Sequence, residues 1–99
     1  MPFEIQYTSE AGEHLGALSA RERRIIADAV REQLAHQPNV PTRNRKPMRP
    51  NKLATWALRI GSFRVYYDVE EQPRRKVVVI AVGVKERNVV RIAGKEFPL

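Results

Sequence analysis

Residues 56–70, WALRIGSFRVYYDVE, set apolar side chains at every second position on both sides of Gly61 and Ser62. Trp56, Leu58 and Ile60 share one face of an extended segment, and Phe63, Val65, Tyr67 and Val69 continue it on the return, which is the period of two strands. A two-residue connection that opens with glycine fits a tight hairpin. Alternation then sends Arg64, Tyr66 and Asp68 to the other side. A small domain does not place a guanidinium there for stability, because a buried unpaired charge is costly. The hairpin decides the fold, and what Arg64 meets decides the function.

Downstream, EQPRR at 71–75 reads as a turn. VVVIAVG at 77–83 lacks polar alternation and reads as a central strand covered on both sides for most of its length. The tail from Val84 mixes basic and apolar residues and fits a short helix, a final strand or both. Upstream, residues 37–51 contain Pro38, Pro41, Pro47 and Pro50, which rule out a regular helix or central strand and predict an irregular basic loop. Ahead of it, Ser19 and Glu22 have capping-box spacing and open a helix whose apolar stripe is Ile25, Ile26, Ala29, Val30 and Leu34. Thr8 or Ser9 caps a shorter helix ending near Leu18, and Phe3, Ile5 and Tyr7 alternate as a strand. These pieces predict an α+β fold: an N-terminal strand and a helical hairpin packed on one face of a mostly antiparallel four-stranded sheet, with a short C-terminal element. The opposite face is expected to stay partly open.

At 99 residues the chain is read as a single domain, residues 1–99, with one modest core. No signal-peptide pattern and no run long enough for a membrane span is visible, so the expectation is a cytoplasmic protein with no membrane partner. Cysteine is absent, which excludes disulfides and thiolate chemistry. His14 and His36 stand far apart without a motif, are read as helix-surface residues, and predict neither metal site nor cofactor. The charge says more. Eighteen Lys and Arg against eleven Asp and Glu give +7, and 13 of the 18 are arginine, whose planar fork pairs phosphate in a bidentate way. TRNRKPMRPNK at 42–52 carries five cations and no acid. Such an asymmetric field suits a polyanionic partner or a solvated, self-repelling surface.

The residues that could carry chemistry lie around the hairpin. If Lys85, Arg87 and Arg91 approach Arg64 across the sheet, several cations share one concave surface, and crowded like charges favour an anion among them. Cross-strand pairing of Arg64 with Asp68, Glu70 or Glu86, and of Arg87 with Glu96, is the alternative. Tyr66, on the Arg64 side, can serve as wall, as base-stacking platform or as acid. Arg43, Arg45, Lys46, Arg49 and Lys52 in the basic loop, with Arg59 on the hairpin, are the candidate phosphate-binding residues. Trp56 and Phe63 read as core, and Met48 as a loop anchor.

LRIGSFRVYYDVEE at 58–71 and VVVIAVGVKERNVVR at 77–91 resemble the RelE/ParE superfamily of bacterial type II toxins, and the preceding helical hairpin fits the same plan over nearly the whole chain. The resemblance implies a microbial RNase-like sheet and a cognate antitoxin. In the RelE branch it implies metal-free cleavage of mRNA on the ribosome, and in the ParE branch inhibition of gyrase. DNA would be met only through the antitoxin complex. Arg64 matches the arginine that RelE-type toxins use on phosphate, and Lys85 and Arg87 match following basic positions. The two lysines of active RelE enzymes correspond here to Thr55 and Ala57, and their C-terminal tyrosine to Arg91. A catalytically degenerate member that only binds its antitoxin is a further alternative. Arginine is a poor acid or base, Lys85 as base requires burial, and Lys46 and Lys52 are candidates to replace the absent lysines in space.

Overall fold

The computed structural model describes residues 2–97. Alternation near the N-terminus forms β1 (Glu4–Tyr7), and Thr8 ends it by capping α1 (Ser9–Gly16), its hydroxyl accepting from the Ala11 N–H at 3.1 Å. Ser19 and Glu22 complete the expected capping box at the start of α2 (Ala20–Leu34). Ile26, Val30 and Leu34 on that helix are fully buried, each contributing about 1.5–3 kcal/mol of apolar burial. Ile25, expected in the same stripe, is 44% exposed, because it lies one position around the helix from Ile26.

Beyond α2 the chain forms β2 (Arg45–Pro47), β3 (Trp56–Ile60), β4 (Phe63–Glu70), β5 (Lys76–Glu86), β6 (Val89–Ile92) and β7 (Lys95–Phe97). The strand order is β2-β3-β4-β5-β6-β7, and β1 pairs in parallel with β5. The sheet therefore has seven strands where four were expected. Two of the additions come from the tail, which folds as β6 and β7 with no helix. A third is β2 inside the proline-rich segment, permitted because it is an edge strand that ends at Pro47, which has no N–H to donate. The predicted hairpin is present, with Ile60 opposite Phe63 and Gly61 at φ +57° in the turn.

The helices cover one face. Leu58, Val65, Tyr67, Val77, Val79 and Val82 pack there with Ile26, Val30 and Leu34, and Trp56 stacks on Tyr67 with ring centroids 6.2 Å apart. The opposite face is more covered than expected. Tyr66, Ala81, Ile92 and Ala54 form a second cluster, with Met48, Leu53, Val90 and Phe97 partly buried against it. Gly83 makes this possible, since a Cβ there would lie 2.9 Å from Ile92 Cγ1 and 3.0 Å from the Arg91 carbonyl oxygen.

One irregularity in β5 sets which residues meet. Tyr66 pairs with Ala81 but Tyr67 with Val79, so Ile80 is an unpaired bulge residue. Before it, Val77 and Val79 face the helices; after it, Val82 does. The bulge thus flips the alternation and brings Gly83 and Lys85 to the side of Arg64. The freed backbone groups are met from the α1 end: the Thr8 N–H donates to the Val79 carbonyl, the Thr8 hydroxyl donates to the Ile80 carbonyl, and the Val82 N–H donates to His14 Nδ1 at 3.2 Å. His14, read as a surface residue, is thereby a half-buried acceptor, while His36 lies exposed.

Candidate functional site

Between the loop after β2 and β6, the second face holds a hollow of about 640 Å³. Its floor is Ala57, Tyr66 and Arg64, and its cationic rim is Lys46, Arg49 and Lys85. Met48, Pro50 and Asn51 wall one side and Val90 the other. Asn51 makes that loop wall rigid: its Oδ1 accepts from the N–H groups of Leu53 and Ala54, and its Nδ2 donates to the carbonyls of Arg49 and Ala54. An asparagine following proline is the turn signal that could have predicted this.

Arg64 is half-buried, and its Nη1 donates to the carbonyls of Gly61 and Phe63, both at 2.8 Å. No ion pair among the described residues involves it. The three carboxylates that the sequence offered it are otherwise placed: Asp68 accepts from the Thr55 N–H and hydroxyl at 2.8 Å, Glu70 pairs with Lys76, and Glu86 lines the cleft with His14 and Arg91. Burial pushes the Arg64 guanidinium below the usual arginine range; Tyr66 opposes this and the neighbouring Arg59 adds to it. Burial likewise pushes the Tyr66 phenol up, with Arg64 working against the shift, so at neutral pH Tyr66 is a hydrogen-bond donor. Four cations, Arg64, Lys46, Arg49 and Lys85, and a protonated phenol around one concave floor can bind an anion, offset charge that develops on it, and donate a proton to it.

The remaining candidates divide. Lys46 stands directly opposite Ala57 in the β2–β3 register and lines the hollow beside it; Lys52 is exposed and lines none of the described recesses around the hollow. Arg43 and Arg59 lie beyond Arg64, in recesses that continue from the hollow. Arg45 is turned to the helix face, 8% exposed, with its guanidinium donating to the carbonyls of Val40 and Gln33; it is a buried strut. Alternation from Leu58, its cross-strand neighbour, puts it there. Arg87 sits at φ +58° in the exposed β5–β6 turn. Arg91 is on the helix side, lining a cleft with His14, Val82 and Val84 and pairing with Glu96 at 3.4 Å. The β6 register, with Arg91 opposite Val84 and Val90 opposite Lys85, separates it from Arg64. Among the described residues no cluster of three or more His, Asp or Glu could hold a metal ion, and no helix is long and apolar enough to cross a membrane.

No family model and no curated protein matches the chain. Among solved structures it is similar to a chain of the toxin–antitoxin complex RelBE2 from Mycobacterium tuberculosis, with a TM-score of 0.73 and 24% sequence identity over 86% of this chain and 100% of that one. The chain therefore shares the fold of a chain from that complex.

Proposed function

We propose that the protein is a RelE-like toxin of a type II toxin–antitoxin pair, an endoribonuclease that cuts mRNA on translating ribosomes. The observation that carries this reading is Arg64, paired with no carboxylate among the described residues and facing a hollow with Tyr66 and Lys85. The fold shared with a chain of the RelBE2 complex supports it. Among the described residues the lining of the hollow has no carboxylate or imidazole, a donor set that suits phosphate better than a metal ion.

In the proposed reaction the RNA 2′-oxygen attacks the adjacent phosphorus, the bond from phosphorus to the 5′-oxygen breaks, and a 2′,3′-cyclic phosphate remains. Arg64, aided by Lys85 and Lys46, offsets charge on the non-bridging oxygens. Tyr66 gives its proton to the departing 5′-oxygen. Neither arginine nor a protonated phenol is a base at neutral pH, so the 2′-hydroxyl gives its proton to solvent water as it attacks, the tyrosinate left at Tyr66 takes one back from solvent, and alignment of the 2′-hydroxyl falls to the ribosome, where orientation alone can supply several kcal/mol. The cognate antitoxin, as an acidic segment, would cover the same hollow and silence it.

Arg64→Ala is expected to abolish growth arrest and reduce cleavage by about 100-fold or more while the melting curve stays unchanged. Toxicity at the wild-type level with a normal melting curve would remove the catalytic role. A ParE-like gyrase inhibitor is the second reading, favoured by Thr55 being tied to Asp68 and by Arg91 lying on the far face. Mapping RNA 5′ ends after expression separates them: cuts within codons support the endoribonuclease, and intact mRNA with induced DNA damage supports the gyrase inhibitor.

A further inference from the structure

The cationic surface does not end at Arg64. Along a neck of about 170 Å³ lined by Lys46, Ala57, Lys85, Arg43, Arg59 and Arg64, the hollow continues around the β3–β4 turn. It reaches a second recess of about 580 Å³ between that turn and α2, where Arg43, Arg59 and Arg64 are joined by Asn44, Gln33 and Gly61. Among the described residues no acidic side chain lines either space. Arg59 and Arg64 stand directly opposite one another in the β3–β4 register, a pairing of like charges that destabilises a sheet when nothing lies between them. Gly61 leaves open space where a side chain would project, so a ligand can approach the turn backbone closely. Arg43 and Arg59 are both exposed and make no ion pair among the described residues.

We infer that this recess is a second phosphate site, in which Arg43 and Arg59 hold the backbone of a single-stranded RNA whose scissile phosphate lies in the hollow, with Arg64 as the shared hinge between the two. The inference rests on the reading of the hollow as an RNA site and extends it: the substrate is gripped over two recesses, so a very short RNA fills only the first. Arginine forks at intervals along a bent, polar track match successive phosphodiesters. An amphipathic protein segment would find few apolar anchors there, since among the described residues Ala29 and Ile60 are the apolar side chains that line the recess.

The test uses the full chain and 5′-labelled oligouridylates of three and twelve nucleotides, with fluorescence anisotropy read from low to moderate salt. For the Arg43→Gln, Arg59→Gln double variant, two lost phosphate contacts should reduce the log–log salt slope for the twelve-mer by about 1.4 and weaken its binding by roughly tenfold or more at low salt. The trinucleotide should change by less than about twofold, and Arg64→Ala should weaken both RNAs. Single Arg43→Gln should show about half the slope change and guards against misfolding of the double variant, which melting curves also check. An unchanged twelve-mer slope, equal weakening of both lengths, or no measurable twelve-mer binding by the wild type overturns the inference; so does loss of binding to an acidic peptide with RNA binding intact. Its failure is distinct from that of the proposed activity. A protein with the length and slope effects that cuts no RNA on ribosomes keeps the second site, and one that cuts RNA with an unchanged slope loses it.

Discussion

Arg45 and Arg64 are the same residue type on neighbouring parts of one sheet, and their surroundings give them opposite tasks. Arg45 spends its guanidinium on the Val40 and Gln33 carbonyls beneath α2, so Arg45→Ala should lower stability by about 2–3 kcal/mol, since hydrogen bonds from charged groups are strong and their loss strands the carbonyls. Arg64→Ala gives up two bonds at a partly exposed turn and should shift the denaturant midpoint far less. Chemical denaturation of both variants checks the contrast, and equal losses would argue against it. Tyr66 is the proposed acid, held protonated by burial; Tyr66→Phe should cut cleavage by about 100-fold with little change in RNA affinity, and full activity in the phenylalanine variant would exclude it. Alternation alone assigned Arg64 and Tyr66 to one face, so their juxtaposition was legible in the sequence. Arg45 was not separable from its neighbours there, because a basic loop read as irregular has no faces.

At the level of elements, the capping box of α2 and the Gly61 hairpin were readable because each is written in two to four adjacent residues. The bulge at Ile80 was not. VVVIAVG is apolar at every position before its glycine, so nothing in it marks where the two faces exchange, and uninterrupted alternation from Val77 would have turned Lys85 towards the helices. What holds the bulge is remote in sequence. Thr8 ends β1, caps α1 and bonds Val79 and Ile80, and His14 takes the Val82 N–H. Thr8→Ala should therefore cost about 2 kcal/mol, combining a lost cap with a lost tertiary bond, and lower Tm by roughly 8 °C or more. Calorimetry reads this directly; a loss no larger than that of an ordinary cap would mean that the bulge does not depend on Thr8.

Taken as a whole molecule, the protein carries three phenols in its sheet, Tyr7, Tyr66 and Tyr67, that burial holds above the ordinary tyrosine range. Their folded values exceed the unfolded one, so their stabilising contribution is fully present below about pH 10 and is lost as pH rises through the folded values. The denaturant midpoint should be flat to about pH 9 and fall above pH 10. Tyr67→Phe should lower it by about 1 kcal/mol at pH 7, through loss of the 2.7 Å bond to the Pro38 carbonyl, and should flatten the alkaline fall; an alkaline limb as steep as the wild type's would contradict this. The same scale separates what each kind of information supplied. Sequence by itself determined the α+β class, both helices, the central hairpin and the side on which Arg64 stands, because these follow from local periodicity, caps and turn chemistry. Tertiary structure alone decided that the sheet has seven strands, that Lys46 and Lys85 join Arg64 while Arg91 and Arg45 face the helices, and that Asp68 belongs to Thr55. Those outcomes depend on register, on one unpaired residue in β5 and on partners far along the chain, and local periodicity contains no information about any of them.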